Sequence, residues 1–169
     1  MKIVLMGYMA SGKSAVGSVL AGRLGVQFID LDSFIEEREG LSISEIFSIK
    51  GEIYFRNKEG EYLKELLDLE KNCIISLGGG TPCYGNSLKN IKNNAISFYL
   101  NASINTIFER LKEETSQRPL VATIGTGNLK EYIAKHLFER NPFYKQAHHT
   151  ILVNEKSIFA IVDELELLL

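Results

Sequence analysis

The sequence is poor in several residue types, and each shortage excludes a class of protein. It has only two cysteines, Cys73 and Cys83, in 169 residues. At most one disulfide could therefore form, and a domain of this length does not need one. Cys73 lies in an apolar run, where a buried thiol is expected. No group of cysteines and histidines has the spacing of zinc ligands. A disulfide-stapled or zinc-dependent fold is not expected.

Long hydrophobic runs and an excess of positive charge are also missing. No apolar run approaches the roughly 18 residues that a membrane span needs. The apolar stretch near the N-terminus, residues 3–6, is too short for the core of a signal peptide. The formal net charge is −2, whereas nucleic-acid-binding proteins usually carry a strongly basic face. We therefore expect a cytoplasmic protein with no membrane and no nucleic acid as partner.

Short apolar runs alternate with helical patterns along the chain. Five runs predict strands, at residues 3–6, 26–29, 73–77, 95–100 and 150–153. None alternates strictly between apolar and polar residues, as expected when helices cover both faces of a sheet. Apolar residues at helical spacing follow three of these runs, within 16–24, 104–111 and 158–165. This order predicts an α/β fold, a three-layer sandwich with a central five-stranded parallel sheet, in one domain spanning 1–169.

The strongest motif follows the first predicted strand. Residues 7–14, Gly-Tyr-Met-Ala-Ser-Gly-Lys-Ser, fit the phosphate-binding pattern G-x-x-x-x-G-K-[ST]. The amides of such a loop point at phosphate oxygens from the N-terminus of a helix, where the dipole favours an anion. A glycine-rich turn with a chance lysine is the alternative, and a strand before the motif with a helix after it argues against that. The residues predicted to bind ATP here are Ala10, Ser11, Gly12, Lys13, Ser14 and Ala15, with Lys13 on the β- and γ-phosphates and Ser14 on Mg²⁺.

Carboxylates and glycines follow the next two predicted strands. Asp30 and Asp32 come after the second run, and Gly78, Gly79 and Gly80 come after the third. Ligands of open α/β sheets bind beyond the carboxyl ends of the strands. The two carboxylates suit Mg²⁺ or the proton of an acceptor hydroxyl. Asp32 could instead, or in addition, be the N-cap of a helix.

Three arginines stand in distinctive contexts. Arg56 follows Tyr-Phe, Arg118 precedes Pro-Leu, and Arg140 precedes Asn-Pro-Phe-Tyr. Arginine is the residue suited to a bidentate grip on a carboxylate or phosphate. Taken singly, each arginine is more commonly a solvated surface charge.

Together these residues resemble the shikimate kinase family. The resemblance rests on the phosphate-binding loop, Asp30-x-Asp32, Phe55-Arg56-x-x-Glu59, the three glycines, Arg118-Pro119-Leu120 and Arg140-x-Pro142-x-Tyr144. These motifs occur in order, from Gly7 to about Asn154. The resemblance implies a P-loop NTPase of the nucleoside-monophosphate-kinase type, with a substrate-binding insertion at about 32–70 and a lid at about 112–127. It implies ATP-dependent phosphorylation of the 3-hydroxyl of shikimate, with Mg²⁺ as cofactor, in aromatic amino acid biosynthesis.

The resemblance also implies roles for individual residues. Arg56 and Arg140 would bind the shikimate carboxylate, with Glu59 orienting Arg56. Gly79 and Gly80 would contact the substrate, and Asp32 would bind its hydroxyls and help remove the proton. Arg118 would close over the phosphates, and Arg110 would lie against the adenine. Lys13, Asp32 and Arg118 are thus the predicted catalytic set.

One feature departs from the usual pattern of P-loop proteins. Many carry an aspartate at the end of the third apolar run, where this chain has Ser76-Leu77. Metal binding is then expected to rest on Ser14, with Asp32 acting through water. Another small-molecule kinase, of gluconate or nucleotide type, and a non-catalytic nucleotide-binding protein are the alternatives, and a monomer is the expected state.

Overall fold

A parallel sheet forms the centre of the molecule. The computed structural model describes residues 1–114 and 123–169. Its five strands are β1 (Lys2–Met6), β2 (Gln27–Asp30), β3 (Cys73–Ser76), β4 (Ile96–Asn101) and β5 (His149–Leu152). They pair in parallel in the order β2-β3-β1-β4-β5. The five predicted runs are therefore confirmed as strands, with small shifts at their ends.

Helices connect the strands and cover the sheet. They are α1 (Lys13–Leu24), α2 (Leu31–Glu39), α3 (Ile43–Lys50), α4 (Glu52–Asp68), α5 (Ser87–Asn94), α6 (Ile104–Glu113), α7 (Thr126–Tyr144) and α8 (Ile158–Glu166), with a short 3₁₀ helix at Thr81–Cys83. Every residue of β3 is buried, as are four of the five in β1. Side chains of a strand alternate between faces, so both faces are covered and the predicted three-layer sandwich is confirmed.

The strand order decides which loops can meet. Strands β2, β3 and β1 are neighbours, and all three run in the same direction. The segments that leave their carboxyl ends begin at Gly7, Leu31 and Leu77. These segments are far apart in sequence, and the sheet brings them to one edge, where ligands of such folds bind.

Two helices, α3 and α4, fill the region before β3. Ser42 and Glu45 form a capping box at the start of α3, in which each side chain accepts a hydrogen bond from the other residue's backbone N–H. Gly51 separates the two helices with φ of 87°, a left-handed value that favours glycine. Helix α2 is tied to this region through Glu39, whose carboxylate accepts hydrogen bonds from Tyr54 and Tyr62. The segment is thus a helical unit fastened to the core beside the carboxyl edge.

No helix in the described ranges combines the length and the apolar character needed to cross a membrane.

Candidate active site

The phosphate-binding loop is shaped by close backbone contacts. A Cβ atom on Gly7 would lie 2.7 Å from the carbonyl oxygen of Leu100, so the loop leaves β1 at a point where only glycine fits. Gly12 has φ of 96° directly before α1 begins, again a glycine conformation. The Lys13 ammonium is mostly buried and donates to the carbonyls of Gly7, at 2.8 Å, and Tyr8, at 2.9 Å. The cation is therefore held across the mouth of the loop.

A cleft of about 570 Å³ opens over this loop. All six residues predicted to bind ATP in the loop line it, and so do Asp32, Gly79 and Arg110. Asp30 and Gly78 also line the cleft. The structure thus collects most of the predicted site in one place, whereas Arg56, Gly80 and Arg140 are not among the residues that line this cleft. Arg118 lies outside the described residues.

Asp30 connects the loop to α2. Its Oδ2 accepts a hydrogen bond of 2.9 Å from the Ser14 hydroxyl, and its Oδ1 accepts one of 3.1 Å from the backbone N–H of Ser33. Asp30 is therefore the N-cap of α2. The alternative reading of Asp32 as the cap is wrong, because Asp32 is already the second residue of the helix. Asp30 thus pairs with Ser14, the residue predicted to hold Mg²⁺.

Asp32 is a carboxylate in an unfavourable place for charge. Burial is the largest cause that raises its pKa, and the negative charges of Asp30 and Glu59 add to it; against the opposing Lys13 cation, the pKa is raised to about 6. Its Oδ1 lies 3.0 Å from where a Cβ on Gly78 would be. A carboxylate with a pKa near neutrality is suited to accept a proton.

Arg56 is held by a buried acid. Its Nη1 lies 2.8 Å from Glu59 Oε2, and Glu59 Oε1 accepts a hydrogen bond of 2.6 Å from the Thr81 hydroxyl. The guanidinium stacks 4.1 Å above the centre of the Tyr84 ring. Its Nε is buried and has no hydrogen-bond partner within 1–114 and 123–169. The carboxylate of Glu52 lies 3.9 Å from this nitrogen, so acidic side chains on both sides hold the Arg56 guanidinium in place.

Arg140 approaches from α7. Its Nη1 lies 3.0 Å from where a Cβ on Gly79 would be, and its guanidinium carbon is 5.8 Å from the centre of the Tyr8 ring. Tyr8 belongs to the phosphate-binding loop, and its hydroxyl is 3.0 Å from His136 Nδ1. His136 and Arg140 are four residues apart and share one face of α7. This face therefore contacts the phosphate loop and the glycines together.

The three glycines form the floor between these side chains. A Cβ on Gly80 would meet the Arg56 guanidinium at 2.7 Å, just as Gly79 faces Arg140 and Gly78 faces Asp32. The absence of side chains at 78–80 thus lets one carboxylate and two guanidiniums lie in a row along the backbone. We call residues 78–80 the glycine strip.

The opposite end of the cleft combines Arg110 with a C-terminal segment. Arg110 Nη1 donates to the carbonyl of Ala10 at 2.8 Å. Lys156, Ile158 and Ile161 line the same cleft, and sequence reasoning missed all three because they belong to no motif. Asn154 is occupied elsewhere, since its Oδ1 accepts from the Ser103 N–H at 2.8 Å and thereby ties β5 to the start of α6.

Comparison with known proteins gives one consistent result. A family model described as shikimate kinase matches residues 9–168. The chain is 44% identical to a shikimate kinase of Flavobacterium psychrophilum, with 99% of this chain and 98% of the relative covered. It is 47% identical to one of Flavobacterium johnsoniae, with 97% and 96% covered.

Solved structures agree with the sequence relatives. A shikimate kinase structure from Bacteroides thetaiotaomicron superposes with a TM-score of 0.94 at 34% identity, covering 99% of this chain and 97% of that one. A shikimate kinase from Acinetobacter baumannii in complex with shikimate gives 0.88 at 31% identity, covering 99% and 91%. A gluconokinase from Sinorhizobium meliloti, at 18% identity and a TM-score of 0.60, shares the fold alone. The chain therefore belongs to the shikimate kinase family, whose members transfer the γ-phosphoryl group of ATP to the 3-hydroxyl of shikimate.

Proposed function

We propose that this shikimate kinase binds ATP at the phosphate loop and shikimate on the glycine strip, with Asp32 between them. The observation that carries this proposal is the row of Asp32, Arg140 and Arg56 along Gly78, Gly79 and Gly80. Shikimate is a small anion with several hydroxyls. A row with one carboxylate and two guanidiniums matches that pattern of charge and hydrogen bonding.

The phosphates of ATP would lie against the N-terminus of α1. The amides of residues 10–15 are the donors, and Lys13 would exchange its contacts with the loop carbonyls for the β- and γ-phosphates. Arg110, fixed on the Ala10 carbonyl, would border the adenine, as would Lys156 and Ile158. Arg118 is proposed to close over the phosphates from a lid at about 112–127.

Mg²⁺ is the proposed cofactor, and the oxygen donors near the loop fit it. Ser14 supplies a hydroxyl, and Asp30 and Asp32 supply carboxylates within the same cleft. Magnesium prefers hard oxygen ligands and keeps several waters, so one hydroxyl with carboxylates acting through water is a suitable set. When bound, the ion neutralises charge on the phosphates. Ser14 would hold the ion, and Asp30 would orient the Ser14 hydroxyl.

Shikimate would bind through its carboxylate to Arg56 and Arg140. Glu59 already fixes Arg56, so little freedom is lost when the anion binds. The Arg56 guanidinium faces Gly80 and the Arg140 guanidinium faces Gly79, and this supports the placement of the carboxylate on the glycine strip. The relative from Acinetobacter baumannii is known in complex with shikimate.

Asp32 is proposed to serve the reacting hydroxyl. It would accept a hydrogen bond from the 3-hydroxyl and take its proton as the new oxygen–phosphorus bond forms. The bond between the γ-phosphorus and the bridging oxygen of ADP breaks in the same transfer. Phosphoryl transfer depends mainly on position and charge, which Lys13, Asp32 and the arginines would supply.

The substrate-binding insertion, the lid, the oligomeric state and the cellular location are further parts of the proposal. Residues of about 32–70 would form the substrate-binding insertion, and about 112–127 a lid that excludes water when closed. We also propose a monomer acting in the cytoplasm.

A coupled ADP-release assay with Mg·ATP tests the proposal. We expect turnover with shikimate and none above background with gluconate, quinate or AMP. Arg140→Ala should raise the KM for shikimate about 100-fold, because truncating one partner of a buried charge pair costs about 2–5 kcal/mol. The KM for ATP should change less than about twofold. Turnover on another acceptor, or equal effects on both KM values, would overturn the placement of shikimate on the glycine strip.

A further inference from the structure

The hydroxyl of Tyr144 has a contact that the proposed site does not use. Tyr144 is the last residue of α7 and is fully buried. Its hydroxyl donates a hydrogen bond of 2.5 Å to the carbonyl oxygen of Gly79, in the middle of the glycine strip. Arg140 is one helical turn earlier on the same face of α7. One helix face thus brings both a cation and a hydroxyl to Gly79.

The carbonyl groups and the N–H groups of the glycine strip differ in their hydrogen bonding. The carbonyls of Gly78 and Gly80 accept from the backbone N–H groups of Thr81, at 3.1 Å, and Cys83, at 2.9 Å. With Tyr144 on the Gly79 carbonyl, all three acceptors are satisfied. In the described part of the chain, the N–H groups of Gly79 and Gly80 have no hydrogen-bond partner. The strip therefore offers N–H donors to a ligand, while its three carbonyl oxygens already accept hydrogen bonds.

Peptide geometry links the Tyr144 contact to one of these donors. The Gly79 carbonyl and the Gly80 N–H belong to the same planar trans peptide and point in opposite directions. Holding the carbonyl toward Tyr144 therefore turns the Gly80 N–H away from Tyr144. A glycine pair has no Cβ to resist rotation of this peptide, so without an anchor both orientations are accessible.

We propose that Tyr144 is a positioning residue. Its hydroxyl fixes the orientation of the Gly79–Gly80 peptide, and the Gly80 N–H then binds the substrate carboxylate together with Arg56 and Arg140. This inference rests on the placement of shikimate proposed above. The opposite peptide orientation would direct a carbonyl oxygen at the carboxylate and repel it. Tyr144 would thus act on shikimate affinity without touching shikimate.

The surroundings of Tyr144 suit this role. Its ring packs on Tyr99, with ring centres 5.1 Å apart, and Tyr99 is held in turn by Asn141 at 2.8 Å. Burial raises the pKa of Tyr144 above its usual value, and the positive charge of Arg140, together with a side-chain hydrogen bond between the two residues, opposes this only in part. The hydroxyl consequently stays protonated as a donor throughout the physiological pH range.

Tyr144→Phe is the direct test, because it removes one oxygen and keeps the ring. We expect the KM and Kd for shikimate to rise about tenfold, with the KM for ATP changed less than twofold. Tyr99→Phe is the matched control, since it removes a second buried hydroxyl from the same ring pair and loosens the same end of α7. It should lower the melting temperature and leave the shikimate KM nearly unchanged. Equal shikimate KM values in the two variants would overturn the proposal.

An acceptor without the negative charge sharpens the test. The methyl ester of shikimate, used at high concentration, is such an acceptor. With it, the KM of Tyr144→Phe should exceed the wild-type KM by less than about threefold, compared with about tenfold for shikimate. If the KM values for the ester still differ about tenfold, the Gly79–Gly80 peptide does not contribute to binding of the carboxylate. If Tyr144→Phe is unstable, the rise in melting temperature on adding shikimate replaces the kinetics, and it should be smaller than in Tyr99→Phe.

The Arg140→Ala variant separates the two proposals. If Arg140→Ala raises the shikimate KM and Tyr144→Phe does not, the positioning role fails and the placement of shikimate stands. If neither variant raises the shikimate KM, the placement of shikimate on the glycine strip fails.

Discussion

The two ends of the cleft are built in different ways. The phosphate end is made from consecutive residues, 7–15, and is proposed to bind ATP mainly through backbone amides and one lysine. The acceptor end is made from side chains on α2, α4 and α7, from Asp32 to Arg140, that meet over the glycine strip. A site made of contiguous backbone is specified by a short motif, whereas a convergent site depends on the whole fold. The comparison predicts different consequences of mutation at the two ends.

Lys13→Met should have the largest effect and should act on the phosphate end. We expect kcat to fall about 10²–10³-fold, as is typical when one group that stabilises developing charge is removed. Lys64→Met, at an exposed lysine of α4, is the control and should leave turnover unchanged. The measurement is steady-state ADP release, with circular dichroism to check folding. A fall of less than tenfold in a folded variant would contradict the role of Lys13.

Asp32→Asn lies at the boundary between the phosphate end and the acceptor end, and it should lower activity while raising stability. We expect kcat to fall about 10²-fold, since general base catalysis typically contributes 10²–10⁴. The folded-state pKa of Asp32, about 6, lies above its ordinary value of 3.8. The folded state therefore binds more protons than the unfolded state between these values, and stability falls as the pH rises through this window.

The cost of burying the Asp32 charge is then fully present at pH 7.5. Asp32→Asn should raise the free energy of unfolding there by about 3 kcal/mol, because the pKa shift from 3.8 to about 6 corresponds to about 1.4 kcal/mol per pKa unit. The gain should vanish toward pH 3, below both pKa values, where Asp32 is mostly protonated in either state. Thermal melts at the two pH values check this. A variant that is destabilised at pH 7.5 would contradict the burial argument.

The pH dependence of the wild type should report the same carboxyl group. kcat/KM for shikimate reflects ionisations of the free enzyme and substrate. We expect it to fall about tenfold per pH unit below about 6, as Asp32 takes up a proton. The residual activity of Asp32→Asn should lack this limb, and an unchanged profile in that variant would assign the ionisation to another group.

Gly80→Ala should give the smallest effect and should be confined to the acceptor end. Gly80 has φ of −89°, which alanine adopts readily, but the new Cβ would lie 2.7 Å from the Arg56 guanidinium. We expect the shikimate KM to rise about fivefold as Arg56 is displaced, with the ATP KM unchanged. Gly22→Ala is the matched control, because its Cβ would meet nothing within 4 Å. It should stabilise α1 by about 0.5–1 kcal/mol without any effect on kinetics.

Sequence reasoning was most successful where the signal is local. The five strands and the phosphate loop each follow from neighbouring residues. It failed at the N-cap of α2, which it offered to Asp32 and which the structure assigns to Asp30. Both residues precede the same helical pattern, and which one caps α2 depends on where β2 ends.

The convergent contacts carried no local signal. Nothing in the sequence pairs Ser14 with Asp30, joins Tyr8 to His136, or points Tyr144 at Gly79. The placement of Arg56 and Arg140 was inferred from resemblance to a family, and the spacing of the residues alone left each as a possible surface charge. The role of Arg118 remains a prediction, since it lies outside the described residues.

The sequence by itself determined the strand and helix pattern and the phosphate-binding loop, because period, glycine conformation and the exposed amides of a helix start are properties of adjacent residues. The tertiary structure alone decided which charges share the acceptor pocket. The strand order β2-β3-β1 brings Gly7, Leu31 and Leu77 to one edge, and the packing of α4 and α7 brings two arginines to the glycine strip. Burial there raises the pKa of Asp32, and burial is a property of the folded chain.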